Sequence, residues 1–66
     1  MWELEKKVKE QLNDYSIIEL KMFIDAMNEA LEKAPRSTEI REKIIYAEIA
    51  ATDLLYAKTE NFLNGL

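Results

Sequence analysis

The sequence predicts an all-α fold of three helices, short, medium and long, arranged as a bent helical hairpin or a three-helix bundle and assembled as a dimer. Three observations lead there. The 66 residues contain one Gly and one Pro, so little interrupts helix propagation. Ala, Leu, Glu, Lys and Met dominate, and all are good helix formers. Apolar residues recur at spacings of three and four, with no sustained period of two that would mark a strand.

The first helix is expected over about 2–13. Met1, Leu4, Val8, Leu12 and Tyr15 form one narrow stripe. Glu3 and Glu5 suit the positive end of the helix dipole, and Glu3–Lys7 and Glu5–Lys9 are i,i+4 pairs in the favourable order. The break falls at Asn13-Asp14-Tyr15-Ser16. Ser16 followed by Glu19 is a capping box, in which hydroxyl and carboxylate each satisfy a backbone amide. Tyr15 and Leu20 stand where a hydrophobic staple would close the turn.

The second helix is expected over about 17–33. Ile17, Leu20, Phe23, Ile24, Met27, Ala30, Leu31 and Ala34 make a wide apolar face. Pro35 ends it by pushing the residue before it out of helical space. Ser37 or Thr38 is the expected cap of a third helix over about 38–63, stopped by Asn64-Gly65. The chain reads as one domain, 1–66, without repeat or linker.

Helix lengths set the main question. The second helix spans ~26 Å and the third ~39 Å at 1.5 Å per residue. Packed antiparallel, the second covers the third only to about Leu54 or Leu55, and the apolar side chains of Leu55, Tyr56, Phe62, Leu63 and Leu66 lie beyond. Either helix one folds back beside helix two and leaves this overhang bare, or it continues outward and covers it. The matched lengths favour the outward arm.

Helix three carries two apolar stripes. One is Ile40, Ile44, Ala47, Ala51, Leu54, Leu55 and Phe62. The other, about 100° round, is Ile45, Ile49, Tyr56 and Leu63, with Thr52 and Thr59 in register. A helix with two stripes touches two neighbours. In a closed bundle both are internal; in a hairpin the second is a seam for a dimer or partner, as in a four-helix bundle.

Expected partner-binding residues are therefore Ile45, Ile49, Tyr56 and Leu63, with Ile18, Met22 and Trp2. Ile18 and Met22 lie opposite the core face of helix two. They are either scattered surface apolars or an anchor pair, since Met adapts to varied partners. Trp2 is either a cap on the core edge or an interface anchor. Glu48, with Arg41 two turns earlier, is expected at the rim of the core, satisfied by a Lys, an Arg or a Tyr hydroxyl. The sharper reading makes it a polar specifier of register.

Composition argues against other classes. With no His or Cys, disulfides, thiolate metal sites and Ser-His-Asp chemistry are absent, and no Gly-rich phosphate loop exists. A chain this short has little room for a pocket of the usual ~300 Å³. No enzyme, cofactor or small-molecule substrate is expected. The carboxylate ladder Asp25, Glu29 and Glu32 is a solvated face, since di-metal bundles also require His. A net charge of -4 opposes binding to nucleic acid or anionic lipid. No apolar run spans a membrane and no apolar leader opens the chain, so the expected location is cytoplasmic.

A domain of this length buries only about 60% of its unfolded surface. Without disulfides or metals, regular packing or self-association must stabilise it. The expected function is thus a small interaction module of adaptor, co-chaperone or inhibitor type, acting through exposed apolar helix faces and pairing with itself. The alternatives are a monomeric structural or designed bundle without a partner, and an acidic inhibitor that occupies a nucleic-acid-binding site on an enzyme.

Overall fold

The computed structural model describes residues 2–34 and 36–66, with the side chain of Trp2 excepted. Three helices follow in order: α1 (Trp2–Leu12), α2 (Ile17–Lys33) and α3 (Thr38–Asn64), with no strand among the described residues. The expected boundaries hold within a residue at each end. Pro35 and Met1 lie outside the described residues, but Ala34 has φ -64° and ψ 142°, the extended backbone a following proline imposes.

Local chemistry explains the ends. The Glu19 N–H donates to Ser16 Oγ at 3.1 Å, and the Ser16 N–H donates to Glu19 Oε1 at 3.0 Å. This completes the capping box at the start of α2. Ser37 occupies the cap position of α3, yet neither expected hydroxyl cap forms there. Only the backbone bond from the Arg41 N–H to the Ser37 carbonyl closes that turn, at 3.1 Å. Gly65 follows α3 at φ -80° and ψ -9°. The helix therefore stops without the left-handed residue that a glycine stop commonly supplies.

Both shorter helices pack on α3. Asn28 meets Glu48, and the Arg41 guanidinium donates to the Leu31 carbonyl at 3.3 Å. Residue numbers fall along α2 as they rise along α3, so this pair is antiparallel. For α1 the numbers rise together: Lys9 pairs with Asp53 at 3.4 Å, and Lys58 Nζ donates to the Asn13 carbonyl at 2.6 Å. Helix α1 therefore runs in the same sense as α3 and folds back beside its middle. The outward arm suggested by helix lengths is not formed, and residues 60–66 of the overhang are exposed. The reason is local. Leu12 and Val8 gain a seat in the cluster built around Leu20 and Ala51, together with Phe23, Ile24, Leu54 and Leu55.

Cations on α3 finish both shorter helices. Lys58 and Arg41 donate to carbonyls at the C-terminal ends of α1 and α2, groups that no helical amide reaches. The core itself is slender. Among the described residues only Leu12, Leu20, Ala50 and Ala51 are buried, and Leu20 is the one large side chain fully enclosed. The two alanines let neighbouring helices approach α3 closely. The expected apolar face of α2 is all at least half-buried, from Ile17 to Ala34. The molecule is long and flat, with extents of 44 × 23 × 14 Å. Its radius of gyration of 12.7 Å exceeds the ~11 Å of a compact chain this size.

Candidate interaction surface

Two polar bridges bound a sector of α3 that no helix covers. On the α2 side, Asn28 faces Glu48. With the amide nitrogen turned to the carboxylate, it donates to Oε1 at 2.7 Å and to Oε2 at 3.2 Å; the network dictates this orientation. On the α1 side lies Lys9–Asp53. Between them run Ile45, Ile49, Thr52 and Tyr56, and Leu63 continues the line into the overhang. The four apolar members are 40%, 43%, 72% and 58% exposed in chain order.

The folded-back α1 does not bury the second stripe, contrary to what a closed bundle implies. Helix α1 meets a third sector, that of Leu54 and the enclosed Ala50. Ala50 and Ala51 are fully buried, so α3 presents small side chains where α1 and α2 pack on it. The stripe of Ile45 and Ile49 faces the other way.

The exposed face extends onto α2. Ile18 and Met22 are 72% and 65% exposed. At 100° per residue, they lie about 80° and 120° beyond Asn28, away from the core. Ile45, Ile49 and Tyr56 lie about 60° to 100° beyond Glu48 in the same outward sense. Ile18 stands ~15 Å along α2 from Asn28, and Tyr56 ~12 Å along α3 from Glu48, towards the same end of the antiparallel pair. Six of the seven expected partner-binding residues thus share one two-helix face. The side chain of the seventh, Trp2, lies outside the described residues.

Glu48 is half-buried, and its partner is an amide, where Lys, Arg or Tyr was expected. Arg41 is committed to the Leu31 carbonyl. Thr52 Oγ1 donates to the Glu48 carbonyl at 2.8 Å, so its hydroxyl makes little further polar demand on this sector. A shallow groove of about 330 Å³, lined by Ile45, Glu48, Ile49, Thr52 and Asp53, lies in this sector. It is large enough for a few side chains of another protein.

Other features are less apolar. Ile40 and Phe62, on the inner stripe, are 45% and 60% exposed because they lie beyond the ends of the covering helices. A wide-open groove of about 570 Å³ between α1 and α3 is lined by Glu5, Lys6, Lys9, Glu10, Asn13 and Leu54. The sequence expectation of little pocket space does not hold for this groove, which depends on the placement of α1 against α3. Among the described residues, no group of three or more His, Cys, Asp or Glu is placed to hold a metal. Among the same residues, no helix is long and apolar enough to cross a membrane. Comparison with protein-family models, curated proteins and solved structures gives no match.

Proposed function

We propose that this chain is a small protein–protein interaction module whose working surface is the outer face of α2 and α3, and that two copies pair through it. One observation carries the reading. The face gathers Ile18, Met22, Ile45, Ile49, Tyr56 and Leu63 in the open, while among the described residues the core encloses a single large side chain. At roughly 200 Å² per fully open large side chain, these six expose about 700 Å², close to the ~800 Å² per partner of a standard interface.

Pairing would also address the marginal stability of so short a domain. It would place two α2 and two α3 helices around a shared apolar layer, the plan of a four-helix bundle. Tyr56 and Met22 are the expected anchors. The first brings an aromatic ring with a polar tip, the second a flexible thioether that fills irregular gaps.

The test is Ile49→Glu and Tyr56→Glu, each followed by light scattering and circular dichroism. Helix content is expected to survive, because both side chains are exposed in the single chain. The dimer is expected to weaken by about 30-fold or more, corresponding to ~2 kcal/mol. Unchanged mass in both variants would remove this face as the seam.

A further inference from the structure

The charge around the face distinguishes one kind of occupant from another. Asp25, Glu29 and Glu32 lie within the outward sector of α2, among Ile18 and Met22. Glu42 and Glu60 close the two ends of the Ile45–Ile49–Tyr56 line on α3, and all five acids are exposed. On α3, Arg41 lies at the inner edge of that sector, about 20° beyond Glu48, where it is committed to the Leu31 carbonyl; Lys43 and Lys58 fall outside the sector. On α2 the cations are Lys21 and Lys33, and Lys33 is held by Glu29 at 2.9 Å. The apolar band therefore has an acidic margin on both helices.

We propose that the hetero-partner of this face is a basic amphipathic helix, and that it displaces the second copy. This rests on the reading of the face as an interaction surface and adds the partner's chemistry. A second copy supplies matching apolar area but brings an identical acidic margin, so like charges meet around the seam. A helix with an apolar stripe and lysine or arginine flanks supplies the same apolar contact and opposite charge. An amphipathic helix in a groove between two helices is a recurring recognition mode, anchored at i, i+3 or i+4 and i+7. Complementary charge raises its association rate and selects against acidic competitors.

The probes are two synthetic helices of roughly 18 residues, about the length of α2 at 1.5 Å per residue. They share one leucine stripe; one carries lysine flanks and the other glutamate flanks. Binding is followed by titration calorimetry, and the mass of the complex by light scattering. The lysine helix is expected to bind at one per chain and to convert dimer into one-to-one complexes. The glutamate twin should bind on the order of tenfold more weakly or not at all. Raising salt from about 0.01 M to 0.15 M, which shortens the Debye length from ~30 to ~8 Å, should narrow that gap.

Ile49→Glu supplies the decisive control. It adds negative charge but spoils the apolar seat, so it should lose the lysine helix. Glu42→Lys with Glu60→Lys keeps the seat and should reverse the preference between the twins. Equal binding of the twins, or unchanged binding of the lysine helix to Ile49→Glu, would overturn the proposal. So would failure of the lysine helix to bind. A dimer that Ile49→Glu breaks but the lysine helix leaves intact would sink the partner's chemistry alone and leave the working face standing.

Discussion

Ser16 and Glu19 hold the start of α2 through two reciprocal bonds. The Ser16 backbone N–H, and after it the Ser16 hydroxyl, hold the Glu19 carboxyl below its ordinary 4.5, with a smaller contribution from Lys58. A depressed carboxylate pKa stabilises the fold above the unfolded value, and that contribution is lost as pH falls through the folded value. Wild-type stability should therefore decline on acidification below about 4.5, and Glu19→Gln should show a shallower decline in the same thermal-melt series. Ser16→Ala should cost about 1 kcal/mol in denaturant titration. A larger loss is expected at Leu20→Ala, about 2–5 kcal/mol, because Leu20 is the only large side chain fully enclosed among the described residues. The capping box was legible because its chemistry is local to four residues. The Asn28–Glu48 bridge was not, because it joins residues twenty apart in sequence and depends on the register of two helices.

Helix α3 organises the other two elements. Its alanines receive both partners, and Lys58 and Arg41 complete the ends of α1 and α2. Removing the Lys58 amine should loosen α1 before α2. Lys58→Met is expected to speed amide hydrogen exchange across 2–12 while leaving 24–33 little changed; uniform change across both helices would contradict this role. Lys9–Asp53 should matter less, since its side chains are 41% and 57% exposed. Asp53→Ala is expected to cost under about 1 kcal/mol. The three helices and the buried face of α2 could be read from the three-and-four spacing of apolar residues, because burial imposes that period directly. The course of α1 could not. Length matching favours the outward arm, but Leu12 and Val8 bury more beside Leu20 and Ala51 than an exposed overhang can offer. The signal for folding back was the pair Ala50 and Ala51. It keeps side chains small where α1 and α2 pack on α3, and two stripes alone did not reveal it.

At the scale of the whole molecule, the fold leaves an imbalance. Six large apolar side chains form an outer face, while the enclosed core is small. The residues of that face were named by the sequence pattern, since an apolar position unsupported by the core spacing stands out on a helix. That they lie together follows only from the antiparallel register of α2 and α3. Whether two copies share this face therefore decides how the imbalance is resolved. The most direct measurement is absolute mass by light scattering across about a hundredfold dilution, since an assembly with a finite dissociation constant must report on concentration. A dimer that gives way to monomer towards the dilute end is the expected result. A monomer at every concentration would contradict self-association through the outer face.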